Sequence, residues 1–98
     1  MVRHTLLLQP NPQTRPEQIE DIRRQLAGLV GQIPGLLDFC WGANFADPAR
    51  QDGYSYGFSM DFEDRATLSA YAPHPAHQPI AALVRAAFGR IAVLDIDL

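Results

Sequence analysis

Residues 2–9, VRHTLLLQ, place His4, Leu6 and Leu8 on one face of an extended chain and Thr5 and Leu7 on the other, because successive strand side chains point to opposite sides. The prolines of PNPQT, 10–14, end that strand. Thr14 and Glu17 have the spacing of a capping box, and Pro16 falls near the first helical position, where its missing N–H costs nothing. From there Ile19, Ile22, Leu26, Leu29 and Val30 recur every three or four residues, with Glu20, Arg23, Arg24 and Gln25 between them. This predicts an amphipathic helix, ended by GQIPG at 31–35.

Alternation returns in the second strand, where Leu37, Phe39, Trp41, Ala43 and Phe45 oppose Asp38, Cys40, Gly42 and Asn44. After the turn-rich ADPARQDG, Tyr54, Tyr56, Phe58, Met60 and Phe62 alternate with Ser55, Gly57, Ser59 and Asp61, the clearest strand pattern in the chain. Residues 63–72 predict a short helix capped by Glu63 or Asp64, with Leu68 and Tyr71 pointing inward. A proline-rich segment interrupts it, and Ile80, Leu83, Val84 and Phe88 resume a helical stripe up to Gly89. RIAVLDIDL then reads as a last strand, with Ile91, Val93 and Asp95 on one side and Ala92, Leu94 and Ile96 on the other. The order β-α-β-β-α-β is that of an α+β, ferredoxin-like fold: an antiparallel sheet with strands one and three central and the helices on one face. Ninety-eight residues suffice for one core, so the expectation is a single domain over 1–98.

The face without helices would carry Thr5, Leu7, Cys40, Gly57, Ala92, Leu94, Ile96 and Leu98. An apolar patch of that size on a small monomer usually marks an interface, which predicts a homodimer made of two sheets packed face to face about a two-fold axis. Composition narrows the remaining partners. Hydrophobic residues are 47% and charged residues 19%, no apolar run approaches the ~18 residues that a membrane span needs, and MVRHTLLLQP lacks a cleavage site. A cytoplasmic location with no membrane partner is therefore expected. The net charge is −3 and the basic residues are scattered, so no nucleic-acid footprint exists. A small hydrophobic or aromatic molecule is the remaining class of ligand. Cys40 is the only cysteine, which excludes an internal disulfide; it is expected to be a small core residue.

The same alternation puts His4, Leu6, Tyr56, Phe58 and Asp95 on the helix-covered face. Asp95, near the end of the last strand, would reach His4, and a carboxylate bound to one imidazole nitrogen sets the tautomer and frees the other nitrogen. The segment YAPHPAHQPI brings Tyr71, His74 and His77 together, and Pro73 and Pro75 lower the entropy cost of holding the loop in one shape. An imidazole with an ordinary pKa of about 6.5 exchanges protons near neutrality, and a tyrosine hydroxyl orients a substrate oxygen. Positions 4, 56, 71 and 77 are thus expected to converge on one hollow. The plainer reading, loop-stabilising histidines and core aromatics, stays open beside it. His74 and His77 lack a third ligand, so no metal is expected, and without a phosphate loop or dinucleotide fingerprint no cofactor is expected.

RHTLLLQ, IPGLLDFCWGANF, DGYSYGFSMDFEDRATLSAY and above all HPAHQPI resemble, nearly end to end, the stress-responsive A/B barrel domain (Dabb) family. The resemblance implies a dimeric α+β barrel. By analogy with a plant polyketide cyclase of that family, it implies His77 as general base with Tyr71 assisting and His4 as the first-strand histidine. Tyr56 stands where that cyclase has a third-strand histidine, and Arg23 and Leu26 stand where it has pocket aromatics. Leu6, Leu26, Tyr56, Phe58, His74 and Asp95 are the substrate-binding candidates. Three functions follow: a cofactor-free cyclase or lyase using His77; a non-catalytic dimeric stress-response or small-ligand-binding protein; and, on architecture alone, a cofactor-free oxygenase or isomerase.

Overall fold

The computed structural model describes residues 1–98. Its elements are β1 (Val2–Pro10), α1 (Pro16–Ala27), β2 (Leu36–Ala43), α2 (Pro48–Gln51), β3 (Tyr56–Phe62), α3 (Arg65–Tyr71), α4 (Gln78–Ala87) and β4 (Phe88–Asp97). The four strands form one antiparallel sheet in the order β2-β3-β1-β4, the ferredoxin-like arrangement with β1 and β3 at its centre. No helix is long and apolar enough to cross a membrane.

The period-two pattern sorts the faces as expected. Leu8, Phe58, Met60 and Phe62 point inward and meet Ile19, Ile22 and Leu26 of α1, Tyr71 of α3, and Ile80, Val84 and Ala87 of α4 in one continuous core. Trp41 lies parallel to Phe58 with ring centroids 5.8 Å apart, and Phe39 tilts against the same ring. The β2–β3 half of the inner face is thereby filled with aromatic hydrocarbon.

Local rules and global packing part at several ends. At α1 only half of a capping box forms, the Gln18 side chain accepting from the Arg15 N–H at 2.7 Å, while Thr14 donates its hydroxyl to the Ala87 carbonyl at 2.7 Å and ties α1 to the end of α4. Val30 lies past the end of α1 and is exposed, and Leu83 also faces solvent. A register shift between Leu36 and Asp38 buries Leu36 and turns Leu37 outward; Phe45, beyond the end of β2, is 99% exposed. Cys40 is exposed on the outer face opposite Ser59, not in the core, because its strand parity places it there. Asp64 caps α3 by accepting from the Thr67 N–H at 2.8 Å. The interruption after Tyr71 divides the second helix into α3 and α4, and β4 already begins at Phe88, one residue before Gly89. Gly35, at φ +83°, has no room for a side chain: a Cβ there would lie 2.5 Å from Thr67 Cγ2, which keeps the entry to β2 close to α3.

The outer face carries a Thr5–Ser59 hydroxyl pair at 2.8 Å and an Arg3–Asp61 ion pair. Beside them Leu7, Leu94, Ile96 and Leu98 are between 42% and 58% exposed. This is the apolar patch expected from the alternation.

Candidate active site

The other half of the inner face is hollow. Between β1, β4 and the α3–α4 pair lies a cavity of about 370 Å³, within the range of small-molecule sites. His4 and Leu6 enter it from β1, Phe58 from β3, Ile91, Val93 and Asp95 from β4, Leu26 from α1, Leu68 and Tyr71 from α3, and His77, Val84 and Arg85 from α4 and its first turn. Its floor is buried hydrocarbon, Leu26 and Phe58, and its mouth is at the sheet edge, where Val93 is 58% exposed.

His4 sits opposite Asp95 in the β1–β4 register, and its Nδ1 lies 2.5 Å from Asp95 Oδ1. The carboxylate accepts, so Nδ1 carries the proton and Nε2 is free. The imidazole is backed edge-on by Phe62 and Tyr71, at centroid distances of 6.5 and 6.1 Å. Two successive turns, with the His77 N–H donating to the His74 carbonyl at 2.9 Å, bring the chain from α3 into α4. His77 is the N-cap of α4, and its Nδ1 donates to the Ala72 carbonyl at 3.0 Å. A carbonyl has no proton to give, so the neutral ring has its lone pair on Nε2.

The His77 ring lies against Tyr71, with centroids 3.9 Å apart. Tyr71 has no hydrogen-bond partner within the chain, yet no buried side-chain nitrogen or oxygen goes unpaired. Its hydroxyl therefore reaches the open cavity, as do the free nitrogens of His4 and His77. Burial pushes the Tyr71 hydroxyl above its ordinary pKa and keeps it a proton donor at neutral pH. Burial also pulls His77 below the usual histidine value; the Ala72 carbonyl opposes this, and positive charge on His4, Arg85 and His74 adds to it. The geometry thus offers a neutral base, a neutral hydroxyl donor and a carboxylate-oriented imidazole facing one apolar space.

Seven of the nine sequence candidates meet here: His4, Leu6, Leu26, Phe58, Tyr71, His77 and Asp95 all line the cavity. Tyr56 and His74 do not. Tyr56 pairs with Leu8, four positions along β1 from His4, and packs on Trp41 at 6.2 Å; the bulk of Phe58 stands between it and the hollow. His74 turns back into its own loop, where Nδ1 accepts from the Ala76 N–H at 3.0 Å. The two histidines of the motif divide the work: one shapes the loop and the other faces the cavity. Arg85 was not among the candidates. Its only signal was spacing, since His77, Ala81, Val84 and Arg85 follow one helical face. No cluster of metal-ligating side chains accompanies the site.

The profile of the stress responsive A/B barrel domain matches residues 2–98. The Arabidopsis thaliana stress-response A/B barrel domain-containing protein HS1 is 30% identical over 94 residues, 96% of this chain and 86% of that protein. Olivetolic acid cyclase of Cannabis sativa is 26% identical over 94 residues, covering 96% and 93% respectively. A dimeric ferredoxin-like protein of unknown function from Jannaschia sp. CCS1 superposes with a TM-score of 0.88 at 32% identity, over 99% of this chain and 98% of that one. With its whole length matched and the fold shared, this chain belongs to the stress-responsive A/B barrel domain (Dabb) family.

Proposed function

We propose that this protein is a cofactor-free enzyme of cyclase or lyase type, acting on a small hydrophobic or aromatic carbonyl compound. The reading rests on one observation: His77 Nε2 and the Tyr71 hydroxyl, both unengaged by the chain, face the same apolar cavity. His77 takes a proton from the carbon next to a carbonyl; the electron pair moves onto that oxygen, and Tyr71 donates a hydrogen bond to the enolate that results. The carbanion equivalent then attacks a second carbonyl or expels a leaving group, and His77 returns the proton. His4, held by Asp95, orients the substrate oxygen, and Leu6, Leu26 and Phe58 exclude water. The likeness to olivetolic acid cyclase supports this class of reaction.

The proposal includes the assembly. Leu7, Leu94, Ile96 and Leu98 would be covered by a second copy of the chain, giving the α+β barrel, and the dimeric Jannaschia protein supports that reading. The free Cys40 thiol suits a reducing, cytoplasmic compartment.

Deuterium uptake at the α-carbon of aryl alkyl ketones in D2O, followed by NMR, tests the chemistry without knowledge of the natural substrate. The wild type is expected to accelerate exchange, and His77→Gln to reduce the acceleration by about 10² to 10⁴. No acceleration by the wild type, or an unchanged rate in the variant, would favour the second reading. In that reading the cavity only stores or senses a ligand, and the histidines hold the loop.

A further inference from the structure

All eight Lys/Arg positions of this chain are arginines. Six of them, Arg3, Arg15, Arg23, Arg24, Arg65 and Arg90, are paired with a carboxylate. Of the remaining two, Arg50 belongs to α2 in the β2–β3 connection, and Arg85 lines the His77 cavity. The carboxylate in the same cavity, Asp95, is engaged by His4 and forms no ion pair with Arg85. A largely apolar pocket thus carries at its solvent-exposed rim a permanent positive charge with no counterion from the protein.

We infer that Arg85 is the anchor for a carboxylate on the ligand, so that the molecules taken by this site are monocarboxylates with an apolar body. Arg85 lies eight residues after His77 on the same face of α4, a rise of about 12 Å at 1.5 Å per residue. Helical side chains lean toward the N-terminus, so its guanidinium reaches back along the cavity toward His77. The planar fork matches a carboxylate through two parallel hydrogen bonds, and the Leu26, Phe58 and Val84 hydrocarbon between the two poles accepts an alkyl or aryl chain. The reacting carbon, next to His77, is thereby placed several bonds away from the acid group, and a 2-oxo or 3-oxo acid held by Arg85 leaves its carbonyl too far from the base. An arginine in the last turn also complements the dipole of α4, a role that needs no ligand and that any cation would fill.

The inference rests on the cavity being a ligand site, not on turnover. Octanoate and octanamide, equal in length and differing in charge, are titrated into the full-length protein and followed by NMR at pH 7. Octanoate is expected to bind the wild type about tenfold more tightly than octanamide, and Arg85→Gln to bind the two equally with circular dichroism unchanged. Arg85→Lys should keep part of the preference, because the charge remains while the fork is lost. Equal binding of the two probes by the wild type, no binding of either, or a preference that survives in Arg85→Gln would each overturn it. His77→Gln should keep the full preference. A wild type that discriminates the probes but exchanges no α-proton upholds the carboxylate site and ends the catalytic reading.

Discussion

The two faces of the sheet are built from alternate residues of the same four strands, yet they do different things. On the inner face His4 and Leu6 look into a hollow whose polar groups are oriented by Asp95, the Ala72 carbonyl and the tilted Tyr71 ring. On the outer face their neighbours Thr5 and Leu7 border an open depression of about 410 Å³ over Cys40, Gly42 and Gly57, beside one hydroxyl pair, one ion pair and exposed leucine and isoleucine. Enclosure separates the two. Inside, burial depresses the His77 pKa and keeps Tyr71 protonated; outside, side chains of similar hydrophobicity stand open to solvent and suit the surface of a second sheet.

The contrast can be broken from either side. Phe62 is fully buried beneath Tyr71, with centroids 5.2 Å apart, and backs His4 as well. Phe62→Ala should cost about 3 to 5 kcal/mol in urea unfolding, the largest effect expected, because the vacated volume leaves both site residues unsupported. A loss under about 1 kcal/mol would show that the floor of the cavity collapses at little cost and that the site is not rigidly held.

Leu94→Glu puts a charge in the middle of the outer patch. Self-association should weaken about 100-fold, or about 2.7 kcal/mol, in sedimentation equilibrium, while the circular dichroism spectrum stays that of the wild type. An unaltered dimer, or a wild type that sediments as a monomer, would mean that this face is not the interface.

The smallest effect is in pH. His77 must be neutral to act as a base, and burial holds its pKa below the ordinary 6.5, so activity should rise with pH through a limb lying below 6.5 and be flat above it. The same depression affects stability. Below pH 6.5 the unfolded chain binds the proton that the folded site resists, so the contribution of His77 is complete above 6.5 and is lost as pH falls through the folded value. His77→Gln should remove that part of the stability–pH curve. An activity limb centred above 6.5 would exclude His77 as the base.

Alternation and three-to-four spacing were enough to write down the strands, the helices that cover the sheet, their order and the two faces, because each of these depends on neighbours within a few residues of one another, whereas the single turn α2 falls in what reads as the loop ADPARQDG. The prolines of YAPHPAHQPI likewise marked the break between α3 and α4. The extra residue at Leu37 and the isolation of Phe45 followed from where β2 actually pairs and ends, whereas alternation alone already set Cys40 on the outer face. The site needed more than spacing. His4 and Asp95 are 91 positions apart in sequence, and the β1–β4 register sets them opposite each other. The β1–β3 register carries Tyr56 past the hollow to Leu8, and a turn closed by its own imidazole takes His74 away from it. Arg85 matters because no acid of the chain folds back onto it, which no local pattern reports. Periodicity settles which face a side chain occupies; only tertiary packing decides which residues on that face share a space, since register and helix placement come from the fit of the whole core.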